Sequence, residues 1–287
     1  MKLTCVTATF NAIAAGNRER LVCCVESVAR IDVGHEHLVF DGASTDGTAE
    51  LLRELAAKHP DLKVVSEPDT GIYNALNKGV RAAQGDWFYV LGSDDEVSDP
   101  AEMVRALEDG EGHGADIVSS PVRPSTDPDG VWSGYRNYLF STMPLRHQGM
   151  LMRSDVLRRL GGFDERYRIA ADYDLVLRAM QSAVKVRHLA AAYAVFGMEG
   201  VSTVSTRASI EECVRIVRER WGLDESEARE LMNRNRLPLR VILKSIVHAS
   251  PDIRRASRYQ AARFILDSLG LLKADGTLRL RGKSDRV

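Results

Sequence analysis

The sequence predicts an α/β fold in which a mostly parallel sheet is flanked by helices and followed by a helical C-terminal extension. Three observations predict it. Apolar, β-branched runs alternate with amphipathic segments over the first third of the chain, polar or acidic residues follow each run, and the pattern becomes helical from about residue 208. Strands that alternate with helices imply parallel neighbours with both sheet faces covered.

The first four strands and the helices between them follow one another in steps of about 20 residues. The spacing predicts helices over 17–31, 44–59 and 69–84. The helix caps are predicted at Ser44, Thr45 or Asp46 for the second helix, and Gly85 ends the third. The apolar runs predict strands over 2–10, 35–40, 61–66 and 86–92.

The later pattern is less regular. A helix is predicted over 100–110, a strand over 115–120 and a long loop or hairpin over 121–146. A loop of that length in a compact domain is usually functional. We therefore expect it to be an acceptor-side or lid element. A strand and two helices follow, then a strand-like run over 184–196.

Composition narrows the class of protein. The chain has 287 residues, of which 44% are hydrophobic and 28% charged, which is enough to bury a core. The four cysteines form no CxxC pair and are read as reduced core residues rather than disulfides or zinc ligands. Because there is no signal-peptide pattern and no apolar run of about 18 residues, we expect a cytoplasmic protein.

Charge is distributed unevenly along the chain. Residues 232–287 carry 13 Lys and Arg against 4 Asp and Glu, although the whole chain has a net charge of −1. The segment LPLRVILKSIVHA places apolar residues on one helical face and basic residues elsewhere. This pattern suits peripheral contact with the inner face of a membrane, or docking on the catalytic domain or a second subunit. A solvated helical tail is the third alternative, and no nucleic-acid partner is expected.

Acidic residues collect where the predicted strands end. Asp41 follows the second strand, Asp69 the third, and Asp94 with Asp95 the fourth. Ligands bind beyond the carboxyl ends of parallel strands, and crowded carboxylates repel unless a cation lies among them. Hard oxygen ligands suit Mg²⁺ or Mn²⁺. The alternative role for the Asp pair is capping of the next helix, which Asp99 fills better.

The sequence contains neither GxxxxGK[ST] nor GxGxxG after the first strand. A metal would therefore have to hold a phosphate group. The segments TATFN, DGASTDGT, EPDTGIYNALNKG and QGDWFYVLGSDD resemble the nucleotide-binding half of the family 2 glycosyltransferases with the GT-A fold, a Rossmann-like mostly parallel sheet. The segment LGGFDERYRIAADYDLVLR resembles the family's acceptor-side motif. The resemblance covers residues 3–200 and is strongest with a bacterial subgroup that builds surface polysaccharides.

The resemblance implies a set of donor-site residues. The base and ribose would contact the first strand's end, and Asp41 would hydrogen-bond the uracil ring. Asp95 would ligate the metal and Asp94 would lie near the ribose or sugar as a second ligand. Gly71 suggests a close backbone approach to the donor, while Asn77 and Lys78 are either donor contacts or ordinary helix residues. The first-strand contacts are Ala8, Thr9 and Phe10.

On the acceptor side, the resemblance implies that Asp172 is the general base. Asp174 would support it, although both acids are also expected at a helix N-terminus on electrostatic grounds alone. His147 could touch the metal, the diphosphate or the acceptor, or be structural. The chain departs from the family pattern at two places: Gly92 replaces the first acid of the metal motif, and Ala171 replaces a Glu before the base.

Together these features predict a metal-assisted, inverting glycosyltransferase that moves a sugar from a nucleotide-diphosphate sugar, a UDP-sugar first, to a saccharide or lipid-linked saccharide. Residues 1–205 would form the catalytic domain, with a donor half at 1–98 and an acceptor half at 99–205. Residues 206–287 would form the basic extension. The alternatives are an inactive nucleotide-sugar-binding protein and a sugar nucleotidyltransferase, although the latter usually needs a glycine-rich first loop that is absent here.

Overall fold

The structure is a computed structural model that describes residues 2–127, 129–133, 143–182, 184–197, 206–234 and 238–242. Ten strands form two sheets in this part of the chain. They are β1 Leu3–Thr9, β2 His35–Asp41, β3 Leu62–Ser66, β4 Trp87–Val90, β5 Glu96–Val97, β6 Ile117–Ser119, β7 Val122–Pro124, β8 Met150–Arg153, β9 Val186–His188 and β10 Ala194–Phe196. The larger sheet has the order β3-β2-β1-β4-β8-β6-β9, and the smaller has β5-β10-β7.

The larger sheet confirms the predicted fold class. β1 pairs in parallel with β2 and β4, and β2 pairs in parallel with β3. β8 is the exception, because it runs antiparallel to both β4 and β6. Its reversed direction places its first residues beside the carboxyl end of β4, so the 3-10 turn His147–Gly149 lies at the edge where the acids collect.

The helices cover both faces of this sheet. Two of their ends differ from the predictions. The residue before α2 (Thr48–Lys58) is Gly47, and not one of the three predicted caps; its φ of 95° favours glycine. Asp46, one of those predicted caps, precedes Gly47 and accepts the Thr48 N–H. Gly85 lies beyond the end of α3, where a Cβ would meet the Thr4 backbone nitrogen at 2.6 Å. The helices are α1 Arg18–Ala29, α2 Thr48–Lys58, α3 Ile72–Ala82, α4 Pro100–Gly112, α5 Ser154–Arg159, α6 Ala171–Gln181, α7 Thr206–Trp221 and α8 Glu225–Arg234.

The core lies on the two faces of the sheet, because alternate residues of a strand point to opposite sides. Trp87 and Tyr89 of β4 pack into one cluster with α1 and α4, whereas Phe88 packs into the other with α3 and α6. All three are buried, as predicted. Among the cysteines, Cys5 and Cys24 are buried, but Cys23 is exposed and therefore not a core residue, because it lies on the outer face of α1.

The described C-terminal helices belong to the same core as the acceptor half. Side chains of α7 and α8, including Val214, Val217 and Leu231, share a buried cluster with α6. The predicted amphipathic helix from Leu237 onward lies largely outside the described residues, of which only 238–242 fall within it. Within the described residues, no helix is both long and apolar enough to cross a membrane.

A buried carboxylate joins α6 to α7. The Asp174 side chain is 0% exposed; its Oδ2 pairs with Nε of Arg178 at 2.8 Å and its Oδ1 with Nε of Arg220 at 2.6 Å. Arg178 also donates to the carbonyl oxygens of Leu160 and Gly162. The predicted supporting acid is therefore enclosed by two arginines, and it holds two helices together.

We expect Asp174→Ala to lower the free energy of unfolding by about 3–5 kcal/mol, because it leaves two partly buried arginines without their partner. Asp155→Ala is the control, since the Asp155 side chain is 69% exposed and its ion pairs are 3.9 and 4.0 Å long. That control should change stability by less than about 0.5 kcal/mol. Urea denaturation measures both, and equal losses in the two variants would contradict the assignment.

Candidate active site

The ends of β1, β2 and β3 lie in register at one edge of the sheet. Thr9 is opposite Asp41, and Asp41 is opposite Ser66. Asp41 is buried, and its Oδ2 accepts the Ser44 N–H at 3.0 Å and the Ser66 hydroxyl at 2.6 Å, while its Oδ1 accepts the Ser44 hydroxyl. Asp41 thus fixes the loop after β2, and protein groups already bond to both of its oxygens.

Next to Asp41 the surface has an exposed aromatic ring. Phe10 follows β1 and is 63% exposed. A Cβ at Gly42 would lie 2.8 Å from Oδ2 of Asp69 and 3.2 Å from Cδ2 of Phe10, so these three residues adjoin. Asp69 Oδ1 accepts the N–H of Gly71, whose φ is 136°. The ring offers a stacking face at the carboxyl edge of the sheet.

Two predicted donor residues on α3 bond to loops. Asn77 donates to the Phe163 carbonyl at 2.9 Å and to Glu165 Oε1 at 2.8 Å, and it accepts the Phe163 N–H at 2.9 Å. Lys78 Nζ donates to the carbonyl oxygen of Pro68 and pairs with Glu67 at 2.8 Å. These contacts anchor the loops on either side of α3.

The two remaining first-strand candidates, Ala8 and Thr9, lie on β1 itself. Ala8 is opposite Phe40 and packs against the core. The Thr9 hydroxyl is buried and has no hydrogen-bond partner within the described part of the chain.

Asp94 and Asp95 lie in the turn after β4. Asp95 is buried; its Oδ2 accepts the Gly92 N–H at 3.0 Å and its Oδ1 the Gly197 N–H at 2.7 Å. Burial raises the pKa of Asp95 to about 6, which the positive charge of His147 opposes and the negative charge of Asp94 reinforces. Oδ2 of Asp94 is buried without a hydrogen-bond partner among the described residues.

These two carboxylates fit a divalent cation. The unpartnered Asp94 oxygen and the crowding of two acids are what a hard cation would satisfy. The described residues hold no cluster of three or more His, Cys, Asp or Glu side chains able to bind a metal. The protein would therefore supply one or two ligands, with phosphate and water supplying the others. A Cβ at Gly92 would lie 2.6 Å from Asp95 Oδ2, which leaves no room for the acid that the family pattern places there.

Asp172 lies at the start of α6, across from this turn. Its Oδ2 is 3.1 Å from Nδ1 of His147, and its Oδ1 is 2.8 Å from the Tyr173 backbone nitrogen and 3.1 Å from the Tyr73 hydroxyl. Desolvation raises the pKa of Asp172, but the His147 hydrogen bond and charge and the other two donors outweigh it, so the pKa lies below its usual range. Asp172 is therefore an ionised carboxylate near neutral pH.

The pKa of His147 is raised, whereas that of Asp172 is lowered. Desolvation lowers its pKa, but the hydrogen bond to Asp172 and the negative charges of Asp172 and Asp95 raise it overall. The imidazole thus stands between the acid of α6 and the acids after β4. Ala171, beside Asp172, is completely buried, so a Glu at this position would bury a charge in the core.

The segment before α6 is held by a residue that the sequence analysis missed. The Glu212 carboxylate of α7 accepts the backbone N–H groups of residues 168, 169 and 170 at 2.8, 2.8 and 3.0 Å. The Tyr73 hydroxyl lies 2.7 Å from the Ile169 carbonyl oxygen. Neither residue carried a signal of its role: Tyr73 stands inside the quoted GIYNALNKG motif, and Glu212 stands in an ordinary amphipathic helix.

A cavity of about 320 Å³ opens beside Asp172 and His147. Trp132 and Met143 come from the predicted 121–146 loop, and Phe196, Cys213 and Met232 come from β10, α7 and α8. The described part of that loop therefore reaches the cavity beside Asp172. Residues 128 and 134–142 of the loop lie outside the described residues.

Comparison with known proteins identifies the family to which the chain belongs. Residues 4–165 match the family model described as glycosyl transferase family 2. The chain belongs to this family. It is 30% identical over 222 residues to a PGL/p-HBAD biosynthesis glycosyltransferase of Mycobacterium bovis, which covers 70% of this chain and 85% of the relative. The sequence-based recognition of a family 2 glycosyltransferase is thus confirmed, and with it the prediction of an enzyme.

Solved structures show the same fold. TarS 1-349 of S. aureus in complex with UDP-GlcNAc superimposes with a TM-score of 0.65 at 16% identity, covering 100% of this chain and 98% of TarS 1-349. The mannosyltransferase PcManGT of Pyrobaculum calidifontis in complex with GDP-Man and Mn²⁺ superimposes with a TM-score of 0.57 at 20% identity, covering 94% of this chain and 76% of that one. The glycosyltransferase therefore has the predicted GT-A fold.

Glu212→Ala should lower kcat of the glycosyltransferase about ten- to a hundredfold, because loss of three N–H contacts lets the start of α6 shift. Nucleotide affinity should not change. Glu211→Ala is the matched control, since Glu211 is the next residue and pairs with Arg229 at the surface. Steady-state kinetics and calorimetry measure both quantities. Equal kcat losses in the two variants, or loss of nucleotide binding in Glu212→Ala, would contradict the positioning role.

His147→Asn should move the acid limb of the kcat/KM profile to higher pH. The imidazolium favours the ionised form of Asp172, so its removal raises the pKa of that carboxyl. Activity that requires the carboxylate is then lost at a higher pH than in the wild type. His113→Asn is the control, because His113 follows the last residue of α4 and its side chain is 56% exposed. A limb that stays in place, or that shifts equally in the control, would show that Asp172 is not the titrating group.

Proposed function

We propose that this glycosyltransferase moves a sugar from a UDP-sugar to a hydroxyl of a saccharide or lipid-linked saccharide, with inversion at the anomeric carbon. Asp172 acts as the general base. A carboxylate that is ionised and held by His147 and the Tyr173 N–H can take the acceptor proton as the hydroxyl attacks. The position of Asp172, on the cavity and across from Asp94 and Asp95, is the observation that carries the proposal.

A divalent cation, Mg²⁺ or Mn²⁺, is the proposed cofactor. Asp94 and Asp95 would hold it. When bound, it neutralises the negative charge that grows on the departing diphosphate. The unpartnered Oδ2 of Asp94 supports this, and the PcManGT complex contains Mn²⁺. Gly92 and Gly197 keep the Asp95 carboxylate in place through their N–H groups.

The donor lies, in this proposal, along the edge formed by the ends of β1 to β4. The Phe10 ring is exposed for stacking on a base, and Asp41 and Asp69 line the same edge. The TarS complex with UDP-GlcNAc supports a uridine nucleotide. Asn77, Lys78 and Gly71 then shape the loops of the donor site, acting through the backbone positions that they hold.

In this proposal, successive segments of the chain bind different substrates. Residues 1–98 bind the donor and residues 99–205 the acceptor, while residues 206–287 extend the acceptor half. The contact of Glu212 with the segment before α6 supports a role of the extension in catalysis. We retain peripheral membrane contact through the basic residues after 232 as the proposal for a lipid-linked acceptor, with the enzyme working at the cytoplasmic face.

Calorimetric titration of UDP, GDP and dTDP, each with Mn²⁺ and with EDTA, tests the donor site. We expect UDP to bind only with Mn²⁺. Asp94→Asn should weaken this binding at least about tenfold, because a neutral amide is a poor ligand for a hard cation. Asp172→Asn should bind UDP as the wild type does, and should lose transfer activity by about 10²–10⁴-fold.

Three results would overturn the proposal. If no nucleotide binds in either condition, the donor site is wrong. If UDP binds equally well with EDTA, the role of the two aspartates is wrong. If Asp172→Asn transfers sugar at the wild-type rate, the general base is another group. The inactive-binder alternative predicts UDP binding without transfer by any form of the chain.

A further inference from the structure

A small cavity lies at the end of β2 that is remote from the acids. It opens between the first residues of β2, α1 and the turn that joins α2 to β3, and its lining includes His35, His37 and His59. Its volume is about 80 Å³, which leaves room for an ion and one or two water molecules of about 30 Å³ each. His35 and Asp41 are the first and last residues of β2, so about 20 Å of strand separates this cavity from the donor edge.

Two of these histidines have buried ring nitrogens without partners. His35 and His37 project from the same face of β2, because side chains two positions apart in a strand point to the same side. Nε2 of His35 and Nδ1 of His37 are buried and have no hydrogen-bond partner within the residues that the structure describes. A buried polar atom left unpaired costs free energy. Two such atoms on one strand face, beside one cavity, indicate a missing ligand.

The other nitrogen of each ring is held by the protein, and this determines which nitrogen carries the proton. Nδ1 of His35 lies 2.9 Å from the Val33 carbonyl oxygen, which can only accept, so Nδ1 is the donor. Nε2 of His37 lies 3.0 Å from the Thr7 hydroxyl oxygen. That hydroxyl donates its own proton to the Leu91 carbonyl at 2.9 Å, so Nε2 of His37 donates to the hydroxyl. In the neutral rings, both unpartnered nitrogens therefore carry lone pairs.

Histidines that bind metals show this arrangement. A ligating imidazole usually donates its second N–H to a protein oxygen, which fixes the tautomer and the ring orientation. The ring must also be neutral. Burial first, and then the neighbouring His35 and His59, lower the pKa of His37 to about 3, so its ring is uncharged near neutral pH. Imidazole nitrogen suits Zn²⁺, Cu²⁺ and Ni²⁺, whereas carboxylate oxygen suits Mg²⁺ and Mn²⁺.

We propose that Nε2 of His35 and Nδ1 of His37 bind one divalent transition-metal cation in this cavity, with water completing its coordination. Two protein ligands agree with the absence, among the described residues, of any metal-binding group of three or more His, Cys, Asp or Glu side chains. The site differs from the aspartates after β4 in its place on the sheet and in the class of cation that it takes. It does not depend on the proposed function.

Calorimetric titration of the full chain with Zn²⁺ tests for the site. Excess Mg²⁺ is present, because it competes for carboxylate oxygen but poorly for imidazole nitrogen. We expect Zn²⁺ to bind, and His35→Asn and His37→Gln each to weaken binding by at least about tenfold. Loss of a ligand costs no less than loss of its outer-shell partner, which costs about 10–100-fold.

The two substitutions remove the lone pairs and can keep the hydrogen bonds. The side-chain amide of Asn can still donate to Val33 from position 35, and that of Gln can donate to Thr7 from position 37. His113→Asn is the matched control, because the His113 side chain is 56% exposed and lies beside Asp109, away from the cavity. It should bind Zn²⁺ as the wild type does.

Nitrogen-15 NMR of the imidazole rings locates the ion on the wild-type chain. Before Zn²⁺ is added, His35 should be the Nδ1–H tautomer and His37 the Nε2–H tautomer. Zn²⁺ should then shift Nε2 of His35 and Nδ1 of His37, while the nitrogens of His113 stay in place. This measurement needs no substitution, so it decides the assignment even if His37→Gln does not fold.

The inference fails if Zn²⁺ does not bind in excess Mg²⁺, if His35→Asn binds it as tightly as the wild type, or if only other histidines shift. Each of these results leaves the proposed function standing, because the donor site is tested separately by UDP and Mn²⁺. Conversely, a chain that binds no nucleotide overturns the proposed function and leaves the histidine site to its own test.

Discussion

The three backbone hydrogen bonds that Glu212 accepts before α6 are the interaction on which the segment leading to Asp172 depends. They fix residues 168–170 from the outside, while the Tyr73 hydroxyl holds the same segment from the α3 side. These three N–H groups belong to the N-cap residue of α6 and the two residues before it, and one carboxylate satisfies all three. The position of Asp172 follows from this arrangement, because it is the second residue of the helix that begins there.

The carboxyl group of Asp172 and those of the two acids after β4 lie in different environments. Asp95 is enclosed by protein, with a pKa raised to about 6, whereas the pKa of Asp172 is lowered by its donors. Divergent shifts of this kind are typical of sites that assign different tasks to similar groups. In the proposed reaction, Asp172 would be the proton acceptor, while Asp94 and Asp95 would hold a cation. His147 lies between them and influences both.

The sequence predicted the donor half well, because its signals are local. Alternating apolar runs and helical spacing located β1 to β4, and the residues after each strand marked the ligand edge. The reversed direction of β8 was not foreseen, since strand direction depends on the path of the preceding loop. The contacts of Glu212 and the contact of Asp174 with Arg220 were missed for the same reason: they join residues that are 42 or more positions apart, and periodicity carries no such information.

The departures from the family pattern at Gly92 and Ala171 also have a physical basis. A side chain at Gly92 would press against the Asp95 carboxylate, and a Glu at position 171 would place a charge in the buried core. The chain therefore assembles its proposed site with fewer acids and places more weight on Asp94, Asp95 and Asp172.

The stereochemistry of transfer tests this account most directly. The anomeric proton of the newly formed glycoside can be followed by NMR from the first turnovers, with a donor of known configuration. One displacement by a hydroxyl that Asp172 deprotonates predicts a product with the opposite anomeric configuration. A product that retains the donor configuration cannot come from a single back-side displacement, and would contradict the assignment of Asp172 as the base of that reaction.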